Sequence, residues 1–360
     1  MIIKTYQNYI IKSYLKNIVL VSVVFLCLVF FLNILEEIKF FENFNVGIYY
    51  PTLLTLLNSP SVLFEIFPFV FLIGTQLFFI NLFEKDELII FKNYGLDNFK
   101  IIKILIIISL LAGIFISTLF YTVSSNMKHS YLSFKNKFTN DNKYLAVINE
   151  NGLWIKDELK GKINIINSEK FQKNILRDMS INVLEKNFEL IQTIIAEKAN
   201  IEKNLWKLEE VTIFEKDGSK KHYKDYNFET NFNREKIDNL FSNLSSLSYF
   251  ELVNLNKDYK KLGFSTLEIK SHLHRLYSFP TYLMIMTIIG AILMFNVKYK
   301  KSKVFNIIVG ILFSVVIYYI NYLLNLMGSN EKIPIIFTSW FIQLILVLIC
   351  ILGLVKINEK

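Results

Sequence analysis

The chain has 360 residues, of which 53% are hydrophobic and 20% are charged, and its formal net charge is +9. The apolar residues form blocks of about 20, the length that a helix needs to cross a bilayer, which excludes an ordinary water-soluble domain. The excess of lysine lies in short segments beside these blocks, which argues against a nucleic-acid-binding protein. Cys27 and Cys350 each lie inside an apolar block and predict neither a disulfide nor a metal site.

The first third of the chain is predicted to contain three membrane spans. A basic segment with interleaved tyrosines leads into the first block, which is long enough to span and lacks the cleavage site of a secretory signal. Pro60 is expected in the first turn of the second span, and Pro68 should loosen that span from inside. The three spans are expected over residues 18–35, 61–83 and 101–123.

The stretch Glu84–Phe99 is predicted to form a short amphipathic helix over residues 84–95. Carboxylates favour its start because they suit the positive end of the helix dipole, apolar residues follow at helical spacing, and a glycine ends it. Such a helix lying across a membrane surface offers a docking site to a soluble partner; the alternative is a solvated loop. The acids are Glu84, Asp86 and Glu87, the apolar residues are Leu88, Ile89 and Phe91, the stop is Gly95, and the next N-cap is Asp97.

The segment 125–271 is polar, highly charged and free of proline, and it predicts a β domain inserted between spans three and four. Its short alternating patterns are typical of strands. Asn151-Gly152, Lys160-Gly161 and Asp217-Gly218 are typical of the turns between them. We expect about ten strands in a sandwich or jelly-roll-like fold, and then a helical segment from about residue 239.

The last part, residues 272–360, is predicted to contain three more spans, over 276–297, 304–327 and 334–355. Residues 1–124 form the other membrane part. The expected fold class is therefore an α-helical polytopic membrane protein with six transmembrane helices, arranged 3+3 around an inserted extracytoplasmic all-β domain that is jelly-roll-like.

The distribution of lysine sets the expected orientation, because short cytosolic loops are rich in Lys and Arg. With both termini in the cytosol, the β domain lies in the periplasm and the 84–95 helix is cytosolic. The outer connections then carry Lys39 and Lys332. The inner segments carry Lys4, Lys12, Lys16, Lys85, Lys92, Lys100, Lys103, Lys298, Lys300, Lys301, Lys303, Lys356 and Lys360.

The sequence contains no motif for a chemical reaction, and no catalytic residue, cofactor or metal is predicted. It has no P-loop, no H-E-x-x-H and no G-x-S-x-G, so work driven by ATP would need an ATPase on another chain. His272 and His274 lie at the mouth of the fourth span and are interpreted as interfacial polar residues, with a metal site as the alternative.

Polar residues inside the spans are few. Glu65 is ionisable and lies inside the second span, which marks a functional residue unless its closeness to Pro60 lets it reach the interface. A helical stripe of polar residues in the fifth span predicts interhelical hydrogen bonds, with the lining of a substrate path as the alternative. The stripe consists of Asn306, Ser314, Asn321 and Asn325.

Three segments, together with the order of spans and β domain, resemble the LptF/LptG (YjgP/YjgQ) permease family of the lipopolysaccharide export system. DELIIFKNYGLDNFKI, Asp86–Ile101, is similar to the family's coupling helix, with Glu87, Leu88 and Gly95 matching and Phe91 matching by position. The other two resemble the LptG branch. They are NGLWIKD, Asn151–Asp157, and LGFSTLEIKSHLHRLYSFP, Leu262–Pro280, with Gly263, His274 and Pro280 in register.

The resemblance implies a permease subunit of an ABC-type exporter, which extracts lipopolysaccharide from the outer leaflet of the inner membrane and passes it to a periplasmic bridge. The implied partners are a cytosolic LptB-like ATPase dimer, a second six-span LptF-like permease, and LptC-like and LptA-like jelly-roll bridge proteins. Coupling to the ATPase would fall to Glu84, Glu87, Leu88, Phe91 and Gly95. Family members carry several basic residues at the outer end of span one for lipid A phosphates, and only Lys39 occupies such a place here.

Other functional classes stay open on the sequence. A permease for a different lipid or for lipoproteins is one, although lipoprotein-release and macrolide-export permeases have four spans and place their large domain after span one. A membrane-anchored sensor or assembly protein would need no ATPase. An integral membrane enzyme would need paired acids or histidines at one membrane face, for which only His272 and His274 offer a case.

Overall fold

The structure is a computed structural model in which two compact units are distinct, Met1–Tyr131 with Leu267–Lys360, and Leu132–Thr266. The first unit is helical and the second is built mainly from strands. The structure describes residues 4–42, 44, 46–138, 153–159, 161–172, 175–185, 187–216, 218–234, 237, 243–262, 266–295, 303–329 and 333–358.

Six helical segments are long and apolar enough to cross a membrane, which confirms the prediction of six spans. The third is made of α4, a five-residue π-helical turn at Ile116–Phe120 and α5, which run on as one helix. The helices are α1 Thr5–Phe40, α2 Tyr49–Glu84, α3 Glu87–Asn93, α4 Asn98–Phe115, α5 Tyr121–Asn136, α6 Tyr249–Leu262, α7 Leu267–Phe295, α8 Lys303–Ser329 and α9 Ile335–Asn358.

The second span begins earlier than predicted, because α2 starts at Tyr49 and Pro60 lies inside it. Pro51, not Pro60, is the proline in the first turn. The hydroxyls of Thr55 and Ser59 donate back to the carbonyls four residues earlier, at 2.8 and 2.6 Å, so these polar groups are satisfied within the helix. The partly polar stretch before Pro60 therefore belongs to α2 and not to a loop.

The two most buried spans, α2 and α7, form the centre of the helical bundle. Small residues let the helices approach closely, as is usual in membranes. A Cβ added at Gly290 would lie 2.8 Å from the Leu72 carbonyl oxygen, and one at Gly113 would lie 2.7 Å from the Pro280 Cα. The apolar core around them includes Leu72, Ile285, Ile289, Ile317 and Leu346.

The second unit contains one antiparallel sheet whose six strands lie in chain order, β1-β2-β3-β4-β5-β6. This confirms an inserted β domain. The described residues give six strands, not ten, because the strands after β1 each run 10 or 11 residues. The strands are β1 Leu153–Leu159, β2 Lys162–Gln172, β3 Ile175–Leu184, β4 Leu190–Asn200, β5 Leu205–Glu215 and β6 Lys220–Glu229.

Two of the predicted turns carry the expected backbone conformation. Gly161 and Gly218 have φ of +79° and +82°, between β1 and β2 and between β5 and β6, a conformation that glycine adopts without steric cost. The predicted turn at Asn151-Gly152 and the predicted strand at 143–149 lie outside the described residues. The helix expected after the strands is present as α6, and α7 then begins nine residues before the predicted fourth span.

Candidate functional site

The short helix α3 connects α2 to α4 and contains most of the stretch predicted as a docking helix. It starts at Glu87, after Asp86 in the left-handed conformation with φ of 54°. It covers 7 residues and ends at Asn93, so the predicted helix over 84–95 is too long. Glu84 is the last residue of α2. The chain therefore turns between Glu84 and Glu87 instead of entering a helix there.

The C-terminus of α3 has the geometry that the glycine predicted. Gly95 has φ of +77°, its N–H donates to the Lys92 carbonyl at 2.9 Å, and the Leu96 N–H donates to the Phe91 carbonyl at 3.0 Å. These two bonds form a Schellman motif. Since no atom lies within 4 Å of an added Cβ, the backbone conformation, and not a lack of space, requires glycine at this position.

The turn from α3 into α4 contains an exposed ion pair. Asp97 occupies the predicted N-cap position of α4, with extended φ and ψ, and its carboxylate lies 3.1 Å from the Lys100 ammonium. The same ammonium donates to the Gly95 carbonyl at 3.0 Å. The hydrogen bond from Lys100 lowers the pKa of Asp97.

The N-terminal part of α1 packs on α3. The Tyr9 hydroxyl donates to Glu87 Oε1 at 2.6 Å, and the Tyr9 and Phe91 rings meet edge to face with centroids 6.3 Å apart. Leu88 is buried. The structure thus places Glu87, Leu88 and Phe91 on the side of α3 that faces the rest of the chain.

The outward side of α3 is apolar as well. Ile89, Ile90 and Tyr94 are 47%, 50% and 83% exposed. The apolar face predicted from the sequence contained Leu88, Ile89 and Phe91, but not Ile90 or Tyr94. The available signal was the uninterrupted run Leu88–Phe91, because four consecutive apolar residues on a helix cannot all face one side.

A polar cluster lies inside the bundle, where four helices meet. The Tyr14 hydroxyl from α1 lies 2.8 Å from Ser109 Oγ, 3.0 Å from Thr287 Oγ1 and 3.4 Å from Thr75 Oγ1. Ser109 and Thr287 lie 2.8 Å apart, and all four side chains are fully buried. We call these residues the hydroxyl cluster. Sequence reasoning missed it, because single hydroxyls in four distant spans form no pattern.

A second polar cluster contains the charged residue predicted inside span two. Glu65 Oε1 lies 3.9 Å from Arg275 Nη2, and Lys128 on α5 interacts electrostatically with both. His272, one turn from Arg275, has its Nε2 2.8 Å from the Tyr121 hydroxyl. Among the described residues no group of three His, Cys, Asp or Glu could hold a metal ion. We call Glu65, Arg275 and Lys128 the charge cluster.

The charge cluster borders a cleft of about 100 Å³ between α2, α7, α8 and α9. Asn321 and Asn325 from the polar stripe of α8 line it, and Asn321 also bonds to Tyr282 on α7. Ser314 donates to the carbonyl of Gly310 in its own helix at 2.8 Å, and the Asn306 carbonyl accepts from Gln76 Nε2 at 2.8 Å. The stripe thus combines interhelical bonds with part of a cleft wall.

Lys39 lies in the last turn of α1, inside the helix and not beyond it, and its side chain is exposed. Two residues before it, the buried Glu37 accepts a hydrogen bond of 2.8 Å from the Tyr131 hydroxyl on α5. Tyr131 lies one turn after Lys128. The end of α1 that carries Lys39 is therefore attached to the part of α5 that carries Lys128.

The helix α3, the hydroxyl cluster and the charge cluster lie at different levels of the bundle. Along α2, Glu65 precedes Thr75 by ten residues, or about 15 Å of helix, and the helix ends at Glu84 about 14 Å beyond Thr75. The hydroxyl cluster therefore lies nearer the end of α2 that joins α3 than the start of α2 at Tyr49. The charge cluster lies on the side of the hydroxyl cluster that faces away from α3.

The comparison with known families agrees with this architecture. The family model described as lipopolysaccharide export system permease LptF/LptG matches residues 8–356, from α1 to the last turns of α9. No curated protein matches the chain. Because the family model covers almost the whole chain, including both sets of three spans and the inserted sheet, the protein belongs to the LptF/LptG family of lipopolysaccharide export system permeases.

Proposed function

We propose that this inner-membrane permease extracts lipopolysaccharide from the outer leaflet and passes it to a periplasmic bridge, with the energy supplied by a separate ATPase. Family membership makes it a multi-pass permease component of the lipopolysaccharide export system. The direction of extraction, the motor and the residues that couple to it belong to the proposal. The lysine distribution supports an orientation with both termini and α3 in the cytosol and the sheet in the periplasm.

The observation that carries the proposal is the outward apolar face of α3, made of Ile89, Ile90 and Tyr94. Apolar side chains exposed together on a helix end are typical of a surface that a partner covers. In the proposed orientation this face lies at the cytosolic end of the bundle, where a cytosolic LptB-like ATPase dimer can reach it. The docking helix α3 is then held in shape by Glu87, Leu88, Phe91 and Gly95. Glu84 ends α2, which is a span that α3 moves.

The connections of α3 provide a route for movement into the bundle. α3 is joined to α2 and α4 by short turns, and Tyr9 ties it to α1. On α1, Tyr9 and Tyr14 are five residues apart, or about 7.5 Å, and Tyr14 is the centre of the hydroxyl cluster. A shift of α3 would therefore act on four of the spans at one level.

The other end of the bundle suits an acylated anionic substrate. Lys39 at the end of α1 and the cations of the charge cluster can meet phosphate groups, and the cleft beside them is largely apolar. An LptF-like permease is the proposed second half of the substrate cavity, and LptC-like and LptA-like jelly-roll proteins the proposed acceptors. The LptG branch is proposed for this chain on the segments Asn151–Asp157 and Leu262–Pro280.

Reconstitution with the cognate ATPase would test the docking role of α3. Ile90→Asp and Tyr94→Asp should each reduce the amount of ATPase that co-purifies and the transport of lipopolysaccharide, because each places a charge in an apolar contact. The matched control is Phe188→Asp, which makes the same kind of change at an exposed aromatic residue of the β unit. Full ATPase binding and transport in both α3 variants would refute the docking role.

A further inference from the structure

The ion pair between Glu65 and Arg275 is loose and accessible. Its N–O distance is 3.9 Å, and the two side chains are 45% and 40% exposed. A charge-assisted hydrogen bond is about 2.7–2.9 Å long, so the carboxylate neutralises Arg275 without binding it closely. Another anion can therefore replace Glu65 without breaking a short hydrogen bond.

The charge cluster also contains more positive than negative charge. Lys128 interacts electrostatically with Glu65 and Arg275, so within the described part of the chain one carboxylate faces two cations. The ring of His272 adjoins these charged groups and forms a hydrogen bond with Tyr121. Tyr318 interacts electrostatically with Glu65 and Arg275 and lines the cleft beside them. Charge inside a membrane protein is normally paired, and here one further negative charge would complete the pairing.

The cleft next to the pair contains polar atoms that have no partner among the described residues. Arg275 Nε and Ser339 Oγ, both donors, and Asn325 Oδ1 are buried and make no hydrogen bond, and all three residues line the cleft. Buried polar groups are normally satisfied. The remaining wall is largely aromatic, with Phe64 stacked on Phe279 at 4.4 Å. At about 100 Å³ the open cleft suits one small anionic group of a larger amphiphile.

We propose that Glu65 is an exchangeable internal counter-ion, which pairs with Arg275 when the cleft is empty and gives way to a phosphate group of an anionic amphiphile when one enters. The returning carboxylate competes for Arg275 and so speeds release of the ligand. This inference rests on the proposed function only for the identity of the amphiphile. Glu65 is on this basis a specificity-determining residue, because a ligand without the anionic group gains nothing by displacing it.

Binding measurements on the full chain in nanodiscs of zwitterionic lipid would test this. The probes are a fluorescent bis-phosphorylated lipid A, its dephosphorylated form, phosphatidylglycerol and inorganic phosphate. Glu65→Gln should tighten binding of the phosphorylated probe about five-fold, the effect of losing one partly exposed competing charge, and should leave the dephosphorylated probe unchanged. Glu65→Asp, which keeps the charge, should bind like the unmodified protein.

Two controls separate the charge effect from a general disturbance of the bundle. Glu36→Gln removes a carboxylate from an exposed position on α1 and should change nothing. In an Arg275→Gln background, Glu65→Gln should lose its effect, because a double-mutant cycle reports a coupling only between interacting groups. An unchanged effect in that background, or an equal effect of Glu36→Gln or on the dephosphorylated probe, would overturn the proposal.

The probes also separate this inference from the proposed substrate. If phosphatidylglycerol shows the Glu65 dependence and lipid A does not bind, the counter-ion role stands and lipopolysaccharide is the wrong ligand. If inorganic phosphate alone shows the full dependence, the amphiphile part of the proposal is wrong. If lipid A binds and Glu65→Gln has no effect, the proposed substrate stands and the counter-ion role falls.

Discussion

The Tyr9 hydroxyl donates a hydrogen bond of 2.6 Å to the Glu87 carboxylate and so ties the first helix to the short helix between spans two and three. The two residues are 78 positions apart in the chain. If α3 moves, α1 must move with it or this bond must break. Removing the bond therefore tests how α3 acts on the bundle.

Tyr9→Phe should keep the ring contact with Phe91 and lose only the hydrogen bond to Glu87. We expect ATPase binding to be kept and the ratio of transport to ATP hydrolysis to fall, because a bond of this kind contributes about 1 kcal/mol. Parallel assays of transport and hydrolysis would measure the ratio. Tyr6→Phe, which removes a hydroxyl from the same segment of α1, serves as the control, and an equal ratio in both variants would contradict the expectation.

Gly95→Ala should destabilise the end of α3 by about 1–2 kcal/mol, the cost of a left-handed conformation for a residue with a side chain. Hydrogen exchange at Gly95 and Leu96 should speed up, since their amides make the two Schellman bonds. Gly95→Asn should cost less, because asparagine tolerates this conformation better than alanine. Equal exchange rates in both variants and the unmodified protein would show that the turn is not formed.

Tyr14→Phe should weaken the contact of four helices at the hydroxyl cluster. Hydrogen bonds between membrane helices contribute about 0.6 kcal/mol each on average. The free energy of unfolding should therefore fall only slightly, even though Tyr14 is deeply buried. Detergent-unfolding curves would measure it. When Thr75→Val is added to the Tyr14→Phe variant, it should lower the free energy of unfolding by less than it does alone, because both residues belong to one network. Fully additive effects would argue that the network does not act as a unit.

Gly290→Ala should destabilise the bundle by about 1–3 kcal/mol, the usual cost of overpacking, because the new Cβ would meet the backbone carbonyl of Leu72 at 2.8 Å. Backbone atoms at the centre of a bundle cannot move aside as a flexible side chain can. Gly47→Ala is the matched control, since nothing lies within 4 Å of its added Cβ. Thermal unfolding in detergent should separate the two variants; coinciding curves would contradict the close packing of α2 and α7.

The turn from α3 to α4 should lose stability in acid. The hydrogen bond from Lys100 lowers the pKa of Asp97 in the folded protein. The contribution of ionised Asp97 to the stability of the turn is therefore complete above the ordinary carboxyl pKa of about 3.9. This contribution is lost as the pH falls through the lowered pKa. Protection factors of the first-turn amides of α4 between pH 2 and pH 5, which correct for the intrinsic pH dependence of hydrogen exchange, would follow this loss. Asp97→Asn should remove the pH dependence, and a dependence that persists would assign it to another group.

Span number and the inserted β domain could be predicted because apolar blocks and strand periodicity are properties of local sequence. The start of α2 could not, because Thr55 and Ser59 satisfy their hydroxyls on their own helix and so extend it through a polar stretch. Gly95 was predicted as a helix stop for the right physical reason. Its left-handed conformation is a requirement that one residue type meets best.

The clusters inside the bundle were largely out of reach of sequence reasoning. Glu65 stood out as a charge in a span. Its partner Arg275 lay just outside the predicted fourth span, which started at residue 276, whereas α7 begins at Leu267. The hydroxyl cluster depends on helix rotation and depth, which single serines and threonines do not encode. The face of α3 that stays exposed depends on where Tyr9 packs, which is a contact between distant parts of the chain.

The chain order of the six strands also bears on how the protein is made. Each strand pairs with the strand synthesised just before it, so every pairing in the sheet is local, and local contacts form quickly. All strand pairs of the described sheet are formed by residues that precede α6. We therefore expect the β unit to fold during synthesis, before the last three spans are made, and to be an assembled body by the time α7 joins α2 at the centre of the bundle.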